Sequence, residues 1–188
     1  MKNLSYAQIV REYQKKGFRK LDQEEAWYRS PDRLSKALKK IGMAKAETGG
    51  VADHQRRIPC GVRKDATEAL ISVHRKLSKA HGFDAIYNLV TKTVGGIHGI
   101  GALYIYDTSL RIAFHKGLEE HGPKEVYLVT GARDGAGWVL PGIRKDPGRP
   151  RTTPVSAFPI EFRGLAAHQL HNLLCAKRKC LMELAVSR

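Results

Sequence analysis

Tyr6, Ile9, Val10 and Tyr13 recur at spacings of three, four and seven, which predicts an amphipathic helix over Tyr6–Lys16. Asp22–Arg29 reads as a second helix. Ser30-Pro31 introduces a third, with Pro31 in the first turn and Leu34, Leu38 and Ile41 on one face. Lys36, Lys39, Lys40 and Lys45 stud its other side, and Gly42 with the Gly49-Gly50 pair ends it. Ala52–Lys64 reads as a basic loop. Asp65 is placed to cap a helix running to His81, with Ala69, Leu70, Val73 and Leu77 as its stripe. Phe83–Val94 follows, then a run of glycines, then Ala102–Lys116. Val126–Val129 reads either as a short strand or as one more helical turn. Trp138–Ser156, rich in proline and glycine, is a loop or linker. Ala166, Leu170, Leu173, Leu174, Leu181 and Leu184 share one side of a last helix over Arg163–Leu184. The pattern predicts a mostly α fold in four regions: a basic helical stretch 1–64, a core 65–142, a basic linker 143–160 and a C-terminal helix 161–188 that packs on the core.

Composition narrows the function classes. At 42% hydrophobic, 188 residues can bury a real core, which excludes wholesale disorder. Lys and Arg total 33 against 18 Asp and Glu, a net charge of +15 with a pI near 9.9. Such a field favours polyanionic partners, nucleic acid ahead of an anionic membrane surface. Residues 1–64 carry 16 basic and 7 acidic groups, residues 65–142 carry 8 of each, and residues 143–188 carry 9 and 3. The ends therefore supply the field. Cys60, Cys175 and Cys180 are odd in number and lack framework spacing, which suits a reducing cytoplasm. The segment MKNLSYAQIVREYQKK lacks the apolar core of a signal peptide, and no apolar run approaches the ~20 residues of a membrane span.

The most informative stretch is FDAIYNLVTKTVGGIHGIGALYIYDTSLRIAFHK, residues 83–116, where two helices flank Ile97-His98-Gly99-Ile100-Gly101. It resembles the helix-hairpin-helix family, whose core pattern is an apolar residue, any residue, then Gly-apolar-Gly ahead of the second helix. Farther along, YDTSLRIAFHKGL and EVYLVTGAR resemble segments of bacterial proteins that pair such a hairpin with this tail. The hairpin resemblance implies binding to the phosphate backbone, DNA before RNA, with little reading of base sequence. Gly99 and Gly101 permit backbone angles closed to other residues and let a phosphate approach the main chain. Their N–H groups and those opening the second helix at Ala102 form a positive nest, while Ile97 and Ile100 hold the turn between the helices. Where family members carry Lys, Ser or Thr after the second glycine, this chain has Ala102, Leu103 and Tyr104, and Ile105 stands where a small alanine is usual. Charged contacts then fall to Lys92 and His98 and to the basic ends: Lys36, Lys39 and Lys40 on one side, Arg144, Lys145, Arg149 and Arg151 on the other. The plain alternative is a glycine-rich turn joining two core helices.

Other constellations carry less. Thr130–Gly137, TGARDGAG, fits a dinucleotide-binding fingerprint, but Pro141, Pro147 and Pro150 follow where further βα units are required. Asp107 lies too close to Gly101 to match the catalytic aspartate of hairpin-containing glycosylases, and reads as a helix cap or as the i,i+4 partner of Arg111. Nothing near Lys92 in sequence would activate it as a lyase nucleophile. His168, His171 and Cys175 share a helix face at metal-ligand spacing, without the paired-cysteine motif that usually accompanies it. Pro147–Arg151, PGRPR, resembles the core of a minor-groove AT-hook but lacks the basic residue before the glycine. The reading is therefore a duplex-DNA-binding protein with no cofactor or metal. A nuclease or lyase, or a toxin–antitoxin or phage-defence interaction module, is the alternative, and self-association or a protein partner stays open.

Overall fold

A computed structural model of the chain describes residues 5–29, 31–140, 142–143 and 152–187. It is mostly α. A two-stranded antiparallel pair joins β1 (Val126–Tyr127) to β2 (Thr152–Thr153), with Val126 opposite Thr153. Two compact units form, Met1–Asp22 with Lys124–Arg188, and Gln23–Pro123. This division differs from the four regions expected from the sequence. The reason lies in the apolar faces. Tyr6, Ile9, Val10 and Tyr13 share a buried cluster with Leu170, Leu173 and Leu174, while Ala37, Leu38 and Ile41 are buried within the second unit. The second unit thereby gathers 16 basic and 11 acidic residues, a net +5. The glycine hairpin thus sits in a basic unit and not in a neutral one.

Helix α1 runs unbroken over Tyr6–Tyr28, where two helices were expected. Gly17, between the two expected helices, lies inside it. A Cβ there would fall 2.2 Å from the Tyr13 ring, so the missing side chain makes room for that ring. The helices α5 (Gly82–Val94) and α6 (Ala102–Lys116) fall where the apolar periodicity puts them, whereas α2 (Leu34–Gly42) starts after Arg33, so Pro31 precedes the helix and is not in its first turn. Helix α3 (Cys60–Ser72) starts five residues before Asp65, with Pro59 as its N-cap, and Val73 separates it from α4 (His74–Lys79). A four-residue α7 (Leu118–His121) follows the Gly117 turn. No helix among the described residues is long and apolar enough to cross a membrane.

In the first unit, TGARDGAG is helical: α8 spans Thr130–Val139. Its glycines face α9 (Ala167–Ala176), which Lys177 separates from α10 (Arg178–Val186); a single helix was expected here. A Cβ on Gly131 would lie 2.7 Å from the Cys175 Sγ, and one on Gly135 would lie 2.1 Å from the Leu174 carbonyl oxygen. The glycines therefore serve close helix packing. His171 is buried with its Nδ1 2.5 Å from the Tyr127 carbonyl, which ties α9 to β1. Among the described residues no three His, Cys, Asp or Glu side chains group as a metal site.

Burial holds His168 down to about 4, with Asp22 pulling the other way. Its folded value thus lies below the ordinary 6.5, and the unfolded chain takes up the proton first. Stability is fully present above pH 6.5 and is lost as pH falls from there toward 4, by up to about 3 kcal/mol. Thermal melts at pH 7 and pH 4.5 check this. His168→Gln is expected to shrink the acid loss, and an unchanged loss would place the sensitivity elsewhere.

Candidate nucleic-acid interface

Phe83, Ile86, Val90 and Val94 give α5 a buried face, and the rings of Phe83 and Tyr106 meet at 5.8 Å, joining it to α6. Between these helices the chain turns over Gly95–Gly101. Gly95 N–H donates to the Thr91 carbonyl, Ile97 N–H to Val94 and Ile100 N–H to Ile97, each at 2.8–3.0 Å. Ile97 and Ile100 are partly buried and hold the turn, whereas His98, Gly99, Gly101 and Ala102 are exposed. At the other side of α6, the Tyr104 hydroxyl donates to the Gly42 carbonyl at 2.7 Å. Burial pushes that phenol up to about 12, so it stays a donor.

The N–H groups opening α6 have no partner among the described residues. The first turn of any α-helix leaves its N–H groups unsatisfied, and no side chain caps this one. Among the described residues, the Gly99, Gly101 and Ala102 N–H groups donate no hydrogen bond. The two glycines differ in kind. Gly99 has φ +90, a conformation L side chains rarely adopt. Gly101 has φ −107 and ψ 174, ordinary extended backbone, and a Cβ built there meets nothing within 4 Å. Of the two glycines that can take angles closed to other residues, only Gly99 does so here.

Behind the first turns of α6 lies a polar core. Arg111, 3% exposed, donates through Nε to Glu24 Oε1 at 3.0 Å, and its guanidinium stands 5.3 Å from the Tyr28 ring centroid. Asp107, one turn earlier, sits inside α6 and is not a cap; its Oδ2 accepts a hydrogen bond from Gln55 Nε2 at 2.6 Å. Burial raises the Asp107 carboxyl, against the lowering pull of Arg111, His54 and the Gln55 bond. The Tyr28 hydroxyl donates to the Lys45 carbonyl at 2.6 Å. Sequence reasoning missed Glu24 and Gln55, because they lie 87 and 52 residues from their partners.

The predicted cations do not all stand alike. Lys92 is exposed in the last turn of α5, just before the hairpin. Lys36 is exposed and pairs with Asp32 at 2.9 Å, and Lys39 is exposed on the same helix. Lys40 turns inward: its ammonium donates to the Trp27 carbonyl at 2.6 Å and stands 4.3 Å from the Trp27 ring centroid. Burial lowers its pKa. Arg144, Lys145, Arg149 and Arg151, with the PGRPR segment, lie outside the described residues. No protein-family model, curated protein or solved structure matches this chain.

Proposed function

We propose that the Ile97–Gly101 turn and the opening of α6 bind the phosphate backbone of nucleic acid, duplex DNA before RNA, with little dependence on base sequence. The observation that carries this reading is Gly101. Within Ile97–Gly101 a plain turn needs a glycine only at Gly99, where φ is positive. At Gly101 the backbone is ordinary and an added Cβ would meet nothing within 4 Å. Leaving it bare keeps a row of free, exposed N–H groups open at the positive end of a helix dipole, which suits one phosphate oxygen. The net +5 of the unit, with Lys92 and His98 exposed beside the turn, supplies the field that brings a polyanion there.

A titration of labelled duplex DNA over a salt series tests it. Affinity is expected to fall linearly on log axes, by about 0.9 per neutralised phosphate, and to change little between A·T-rich and G·C-rich duplexes. Gly99→Val weakens binding as well, but strains the turn itself. Gly101→Ala is the cleaner probe: the loss of a good N-cap residue and the gain from a stiffer unfolded chain roughly offset, so the melting temperature changes little while the approach to the N–H groups narrows. A flat salt response would remove nucleic acid as the partner. Full affinity in both glycine variants would reduce the hairpin to a structural turn.

A further inference from the structure

The segment after α2 reads in sequence as a basic loop; in the structure it is fastened along the hairpin at two points. At one end Gln55, buried in the 3-10 turn Asp53–Gln55, donates to Asp107 on α6 at 2.6 Å. At the other end Val62, in the first turn of α3, lies against Gly99, its Cγ1 3.5 Å from where a Gly99 Cβ would stand. Arg63 secures this end further, donating through Nη1 to the Met43 carbonyl at 3.2 Å. Residues 55–62 therefore form a strap that passes the opening of α6 from Asp107 to Gly99.

Its exposed charges have one sign. Arg56, Arg57 and Lys64 are exposed on or beside the strap, with only Asp53 and Asp65 as neighbouring exposed carboxylates in sequence. Arg56 pairs with Asp53 at 2.9 Å in an open, solvated contact, which a phosphate can replace at little cost. Arg57 makes no hydrogen bond or ion pair among the described residues. A buried glutamine bonded to a partly buried aspartate is an expensive way to hold a mere linker, because both groups give up water. It is a reasonable way to hold two arginines in place.

We infer that the strap is the second wall of the interface, and that Arg56 and Arg57 neutralise phosphates on the same nucleic-acid strand that the hairpin N–H groups hold. This rests on the phosphate reading of the hairpin and adds to it the path of the strand. Asp107 and Gln55 are then positioning residues for the strap, which gives the aspartate near the hairpin a role other than catalysis. Two hands on one strand also explain how a hairpin without the usual Lys, Ser or Thr after its second glycine keeps an adequate footprint.

The exposed Cys60 lies within the strap and serves as a native reporter. The full chain is titrated with duplex DNA over a salt series, and separately mixed with the same duplex carrying a pyridyl-disulfide tether on a mid-strand phosphate, which a nearby thiolate attacks with release of pyridine-2-thione. Arg57→Gln is expected to weaken binding about fivefold near 0.15 M salt and to lower the salt slope by about 0.9, one phosphate's worth. Lys76→Gln, an equal charge change at an exposed position on α4, should leave the slope unaltered. Gln55→Leu should behave as Arg57→Gln does, although it removes no charge. The tethered duplex should form a disulfide that Cys60→Ser abolishes. If Gly101 variants lose binding while Arg57→Gln matches Lys76→Gln and Cys60 stays uncoupled, the hairpin stands and the strap proposal falls. If the wild-type chain shows no salt-dependent binding, both fall together.

Discussion

Gly101→Asp is expected to melt no lower than the wild-type protein and to lose at least tenfold, and nearer a hundredfold, of its affinity for duplex DNA, about 1.4–2.7 kcal/mol of binding free energy. The two effects have one cause. Gly101 is the N-cap of α6, its extended φ and ψ suit a capping side chain, and a Cβ there meets nothing. Aspartate is among the best N-caps: its carboxylate accepts from the N–H groups of the first turn and complements the helix dipole. Against glycine the gain is about a few tenths of a kcal/mol. The same carboxylate then fills the donors proposed for phosphate and sets a negative charge where the DNA backbone must arrive. Thermal melting and fluorescence anisotropy at one fixed salt concentration read both quantities on one sample. A more stable protein that still binds would show that these N–H groups face water and nothing else.

The hairpin was the most legible part of the chain. Its helices follow from local periodicity, and Ala102–Lys116 has the bounds that the pattern predicts. Local chemistry could not separate the two glycines, because the difference lies in φ and in what stands opposite: Val62 stands opposite Gly99, and nothing among the described residues stands opposite Gly101. The strap was less legible still. HQRRIPCGVRK has no apolar repeat, so the helix beginning at Cys60 is hidden, and Gln55 looks like any polar loop residue until Asp107 is beside it. Lys40 carries a similar lesson. On a helical wheel it belongs with Lys36 and Lys39, yet Trp27 and Tyr28 draw it inward, and its charge is engaged there. Sequence spacing says which residues share a face; it does not say which of them meets an aromatic ring from another helix.

TGARDGAG shows how one pattern can serve two structures. Closely spaced glycines cradle a pyrophosphate at the end of a strand, or let two helices approach, and what decides is the neighbour. Here the neighbour is α9, and Gly135→Ala is expected to destabilise the first unit by about 2 kcal/mol. The added Cβ would stand 2.1 Å from the Leu174 carbonyl oxygen, 2.7 Å from its carbon and 3.1 Å from its Cα. These are backbone atoms, so no rotamer change relieves the contact, and α8 must move off α9. That movement opens the cluster formed by Ala132, Ala136, Val139, Leu170, Leu173 and Leu174. Overpacking of this kind costs about 1–3 kcal/mol, and a backbone clash belongs at or above the top of that range. The helix propensity gained on replacing glycine by alanine offsets roughly 1 kcal/mol. For a unit of this size the net loss lowers the melting temperature by about 10 °C. Gly61→Ala is the control, since its Cβ in α3 meets nothing and the same propensity gain is left unopposed. Hydrogen exchange should show the Gly135→Ala loss in the amides of α8 and α9 and leave those of α5 and α6 protected. A Gly135→Ala protein as stable as wild type would mean that α8 does not pack on α9 through its glycines, and the dinucleotide-loop reading of TGARDGAG would have to be reopened.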